Sequence, residues 1–220
     1  MSENDLQDRA EPFPLLPRSI GAAVSPEEAL LNPARLYTAE EVRAKDCPIP
    51  ATSGVYAWYF TSPPPGVPTD GCHGWSGAVL LYVGISPKAP PKNGRAPSRQ
   101  TIRDRVRYHY GGNAEGSTLR LTLGCLLADE LGISLRRVGS GKRMTFGHEG
   151  EAQLTEWMAL HARVVWTAVD SPWELEEELI RSLALPLNLD QNRHSPFHQK
   201  LSALRAGQKA LARSLPIEGS

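Results

Sequence analysis

The spacing of apolar residues along this chain changes several times, and each change marks an element. Residues 54–60, GVYAWYF, crowd β-branched and aromatic side chains without a polar interruption. Residues 77–86, GAVLLYVGIS, do the same after a loop of turn formers, TSPPPGVPTDGCHG, so the two predict antiparallel strands joined by a long connection. Ahead of them, Ser25-Pro26-Glu27-Glu28 and Thr38-Ala39-Glu40-Glu41 each put a hydroxyl three residues before a glutamate, the opening of a short helix. TIRDRVRYHY predicts a helix with Thr101 as N-cap and Asp104 three residues on, and STLRLTLGCLLADELG predicts a second. LRRVGSGKRMTFG reads as a basic hairpin or loop, GEAQLTEWMALHA as a helix and RVVWTAV as a short buried strand. A further helix opens at Ser171-Pro172 and ends before Pro186, and HQKLSALRAGQKALARSL closes the chain as a basic amphipathic helix or tail.

Two of these helices break their own pattern. In SPWELEEELIRSLAL the residues Leu175, Leu179, Ile180 and Leu183 form one stripe, and Glu176 falls in the middle of it. An inward carboxylate is costly without a cation or donors, so Glu176 is half of a buried ion pair, lies at the rim of a loose core, or is a metal ligand. In TIRDRVRYHY the residues Ile102, Arg105, Val106 and His109 share one wedge, which sets an arginine and a histidine on the docking face. Either they lie at its edge or they serve a site. Tyr56 and Tyr82 each stand beside a glycine inside a strand, a position that suits core packing as well as chemistry, and Asn188 follows Pro186 as a turn residue would. Together these groups could bind a divalent cation and clamp a phosphate.

Composition narrows the setting. The 220 residues carry 24 lysines plus arginines against 24 aspartates plus glutamates, so attraction to nucleic acid must come from local patches. Two patches are candidates for contacting DNA or for being merely solvated: Arg136, Arg137, Lys142 and Arg143 in the predicted hairpin, and Lys88, Lys92, Arg95 and Arg99 in the loop after the second strand. Cys47, Cys72 and Cys125 are odd in number and far apart, which suggests free thiols rather than a disulfide framework or zinc site. The two histidines of residues 192–198 read as part of a capped loop, and Trp157, Trp166 and Trp173 as packing. The N-terminal residues show no basic stretch followed by an apolar one, and no apolar run is long enough to cross a membrane, so the expectation is a soluble cytoplasmic protein with no membrane partner.

The ordered motifs resemble the GIY-YIG nuclease superfamily, in particular its stand-alone, restriction-endonuclease-like members. Gly54-Val55-Tyr56 and Tyr82-Val83-Gly84 match the two name-giving tripeptides, and Ile102-Arg103-Asp104-Arg105-Val106 matches the arginine helix, with His109 four residues on. Leu175-Glu176-Glu177-Glu178-Leu179-Ile180 matches the metal-binding stretch, and Asn188 the downstream asparagine. The long loop between the tripeptides and the insertion between Arg105 and Glu176 depart from the shortest members.

The resemblance implies an α+β fold, a small antiparallel β-sheet flanked by helices, with helical insertions and terminal extensions. Its organisation would be a flexible tail over 1–20, one nuclease domain over 21–192 with an N-terminal helical extension, and a C-terminal helix or tail over 193–220. It implies a divalent-metal-dependent endonuclease hydrolysing DNA phosphodiester bonds, of restriction or repair type. Glu176 would hold Mg²⁺ or Mn²⁺, Arg105 would contact the phosphate, and Tyr56 or Tyr82 would orient or deprotonate the attacking water. His109 would assist, and Asn188 would tie strand to helix. Cutting both strands would call for a homodimer. The alternatives are a non-catalytic nucleic-acid-binding protein that keeps the fold, and a globular protein in which these residues are structural.

Overall fold

The computed structural model describes residues 24–91, 96 and 98–218. The expected tail over 1–20, and Lys92 and Arg95, lie outside the described residues. The order is α1 (Pro26–Leu31), α2 (Ala39–Arg43), β1 (Gly54–Phe60), β2 (Gly74–Trp75), β3 (Ala78–Ser86), α3 (Ile102–Gly111), α4 (Thr118–Leu126), α5 (Ala128–Leu131), β4 (Arg136–Val138), β5 (Arg143–Thr145), α6 (Gly147–His161), β6 (Ala162–Ala168), α7 (Pro172–Ser182) and α8 (His198–Ser214). The fold is α+β. An antiparallel sheet of order β2-β3-β1-β6 is flanked by helices, and β4 and β5 pair as a separate hairpin.

β1 explains its own composition. All seven of its residues are buried, because helices cover both faces of the sheet, so the polar-apolar alternation of a one-sided strand is missing. Tyr56, Trp58 and Phe60 join a core with Ile102, Val106 and Tyr110 of α3 and Leu154 of α6. Val55, Ala57 and Tyr59 join a second core with Leu30 of α1 and Leu179 and Ile180 of α7. The β1–β3 register slips at one point: Trp58 pairs with Tyr82 and Tyr59 with Leu80, leaving Leu81 as an extra residue. Leu81 and Tyr82 consequently both pack toward the α3 side. Tyr82 shares that side with Tyr56, whose own strand partner is Gly84.

The helix caps follow the local sequence. Thr101 and Thr38 each form a full capping box, with Asp104 and Glu41 respectively. The stretch expected as one helix over 117–132 is two, because Leu127 leaves the helical range at φ −96° and ψ 5°, and Gly132 then ends α5 at φ +62°. α8 packs on α4 and β4, and its Leu201 and Ala212 are fully buried in the same core as Tyr56. Among the described residues no helix is long and apolar enough to cross a membrane.

Candidate active site

A cleft of about 280 Å³ opens where β1, β3, α3 and α7 converge. Tyr56, Tyr82, Arg105, Glu176 and Asn188 all line it. His109 stands behind Tyr56 and is completely buried. Arg105 reaches in from α3, held by a 2.7 Å hydrogen bond from Nη1 to the Gly116 carbonyl. Glu176 reaches in from α7 within the apolar stripe, one turn before the buried Leu179 and Ile180. Asn188 acts as a surrogate strand: its Oδ1 accepts from the Val83 N–H at 3.0 Å and its Nδ2 donates to the Val83 carbonyl at 2.9 Å. With the Leu187 N–H donating to the Leu81 carbonyl, this satisfies a stretch of β3 that β2 does not cover.

The two glycines are set by close approach. A Cβ on Gly84 would lie 2.6 Å from the Tyr56 Oη, and one on Gly54 would lie 2.2 Å from the Thr167 carbonyl oxygen of β6. Only glycine lets the Tyr56 ring cross β3, and only glycine lets β6 come alongside the start of β1. The tyrosine-glycine repetition thus describes one contact, a phenol of β1 lying over the glycine opposite it. Residues 54–207 match the GIY-YIG catalytic domain. The chain belongs to the GIY-YIG family. Searches of curated proteins and of solved structures returned no significant match.

In this GIY-YIG cleft the hydrogen bonds behind Tyr56 fix a tautomer. His109 Nε2 lies 2.9 Å from the Tyr56 Oη and Nδ1 lies 2.7 Å from the Ser117 Oγ. Ser117 is fully buried and, as N-cap of α4, accepts from the Arg120 N–H at 3.1 Å. Its own hydroxyl proton then has Nδ1 as acceptor, so Nε2 carries the imidazole proton and donates it to Tyr56; the other tautomer would strand the Ser117 hydroxyl proton. Burial, with the charges of Arg105 and Arg120, holds the His109 pKa well below the usual imidazole range. Burial raises the Tyr56 pKa well above the usual phenol value, with Tyr82 adding to the rise and Arg105 opposing it. Tyr82 is raised too, chiefly by burial, and its hydroxyl lies 3.5 Å from the Thr118 Oγ1.

Burial likewise pushes the Glu176 carboxyl up to about 7, with Lys88 pulling it down and Asp190 pushing it up. Family members are generally divalent-metal dependent, and the donor set here suits such an ion. Glu176 and Asp190 supply hard carboxylate oxygens, Tyr82 and Thr118 add hydroxyls, and among the described residues no cysteine or histidine lines the cleft. Among the described residues no group of three or more His, Cys, Asp and Glu is placed to hold a metal.

The other candidates lie elsewhere. Arg136 donates to the Pro216 carbonyl, and Arg137 to those of Ala212 and Leu215, so both tie the hairpin to the end of α8. Lys142 and Arg143 are exposed on that hairpin, Arg99 is exposed ahead of α3, and none of the five lines the cleft. Lys88 does line it. Trp157 is buried against Phe60 and Trp166 packs on Tyr37, whereas Trp173 sits in the cleft wall. Asn192 holds its loop by donating to the Leu185 and Asn188 carbonyls. Sequence reasoning passed over Thr118, Asp190 and Arg205 as cleft residues. They come from α4, α8 and the turn after Pro186, and no local pattern announces that these segments meet.

Proposed function

We propose that this GIY-YIG protein is an endonuclease that hydrolyses DNA phosphodiester bonds at the Glu176 cleft with the help of Mg²⁺ or Mn²⁺. What carries the reading is the convergence of the Glu176 carboxylate, the Arg105 guanidinium and the Tyr56 and Tyr82 phenols, from four separate elements, on a single cleft. Glu176, with Asp190 on the same wall, would hold the cation, which when bound supplies Lewis-acid polarisation of the scissile phosphate. Arg105, steadied through Gly116, offers its remaining donors to a non-bridging oxygen as charge develops there. Tyr56 is the phenol with an imidazole behind it. Burial keeps Tyr56 a phenol at rest, against which the His109 Nε2–H and Arg105 favour the phenolate; once the phenol proton has passed to solvent in the cleft, the phenolate takes the proton of the attacking water while Tyr82 orients it. Asn188 keeps β3, and with it Tyr82, in register beside the Glu176 helix.

Plasmid DNA incubated with the full chain and Mg²⁺ or Mn²⁺ should be nicked or linearised, and Glu176→Gln should lower the rate at least about a hundredfold. Cleavage undiminished in Glu176→Gln removes the assignment. DNA binding without nicking across several metals and DNA forms makes the chain a binding protein instead.

A further inference from the structure

A second groove, of about 500 Å³, continues from the catalytic cleft along α8. The two share Leu189, Asp190, Gln191 and Arg205, so they form one channel. The α8 residues lining the second part are His198, Ser202, Arg205, Ala206 and Lys209. At 100° per residue these fall on one face of the helix, beside the face that buries Leu201 and Ala212. Arg193 adds a cation from the preceding turn, so Arg193, Arg205 and Lys209 face a single lining carboxylate, Asp190. The whole chain has no net charge, so this asymmetry is local.

We propose that the α8 groove is the track for the DNA backbone flanking the scissile phosphate. The inference builds on the nuclease reading and moves the substrate contact from the β4–β5 hairpin to α8. Arg136 and Arg137 of that hairpin already hold carbonyls of their own chain, whereas the α8 cations line a groove that ends at Glu176 and Arg105. The 11 helical steps from His198 to Lys209 rise about 16 Å. That covers about five nucleotide steps of a DNA strand, so the footprint extends to one side of the cut.

The test is binding of a fluorescent 20-base-pair DNA duplex to the full chain in EDTA, read by anisotropy between 50 and 200 mM salt. Arg193→Gln combined with Lys209→Gln should weaken binding about tenfold or more and reduce the salt slope by about two, with an unchanged melting curve. Lys142→Gln combined with Arg143→Gln should leave the affinity within about twofold. The proposal is overturned if the α8 pair binds as the intact chain does, if the hairpin pair is the one that weakens, or if an RNA duplex of the same sequence binds more tightly than DNA. An intact chain that cuts plasmid while the α8 pair binds normally overturns the track alone. An intact chain that neither binds nor cuts removes the nuclease reading as well.

Discussion

Glu176 carries a cost that its position explains. Its carboxyl titrates near 7 in the folded chain against 4.5 for a free side chain, with burial as the main cause. Below about pH 4.5 both folded and unfolded chains are protonated there and the residue is neutral to stability. Between about pH 4.5 and 7 the folded state loses about 3 kcal/mol, and above 7 that loss is complete. Glu176→Gln should therefore raise the melting temperature in EDTA at pH 8 and hardly change it at pH 4; a stability equal or lower at pH 8 would show that the carboxylate is well satisfied without a cation. The inward position was legible in advance, because Glu176 interrupts a stripe of leucines and isoleucine. Asp190 was not, because it stands in a turn where periodicity says nothing. Arg120 was also hidden. Nothing in the pattern of its helix sets it apart, yet it is fully buried.

At the scale of elements, β1 and β3 hold the phenols in place through one bulge and two glycines. The strands themselves were legible from their aromatic and β-branched runs, since few other patterns crowd such residues into seven positions. The extra residue Leu81 was not, because a bulge depends on the partner strand's register. The two glycines should fail differently. In Gly84→Ala the new methyl meets a side chain, so the Tyr56 ring shifts, its bond to His109 breaks, and the fold survives at a cost of about 1 to 3 kcal/mol. Cleavage should fall about a hundredfold, since a displacement of about 1 Å at a reacting group is worth that much. In Gly54→Ala the methyl meets the Thr167 carbonyl of the neighbouring strand, so stability suffers first. Chemical denaturation and plasmid cleavage measured on both variants separate the two effects; equal losses in both would mean that Tyr56 does not depend on Gly84.

For the whole molecule, a buried network joins the inserted α4 to the core. Arg120 bonds the Glu151 carboxylate of α6 through Nε and Nη2, at 2.9 and 2.7 Å, and the His109 and Tyr110 carbonyls of α3 through Nη1. The other Glu151 oxygen accepts the Ala114 and Phe146 N–H groups. Arg120→Met should cost about 3 to 5 kcal/mol by leaving that carboxylate unpaired, and Arg120→Met with Glu151→Leu should recover part of it. Urea unfolding of both variants checks this, and a single variant as stable as the intact chain would make the network incidental. The insertion is then part of the cleft wall, which is why α4 supplies both Thr118 and, through its cap, the proton order behind Tyr56.

The sheet's flanks bear on how two copies could meet. Asn188 and Leu187 occupy the β3 margin, and Tyr37 exchanges both backbone bonds with Val164 on the outer side of β6. Strand-to-strand docking is thereby closed off along these stretches, which guards against edge-on aggregation. Copies meeting at these stretches for double-strand scission would then use helical or loop surfaces, with two clefts brought together by side chains rather than by a shared ladder.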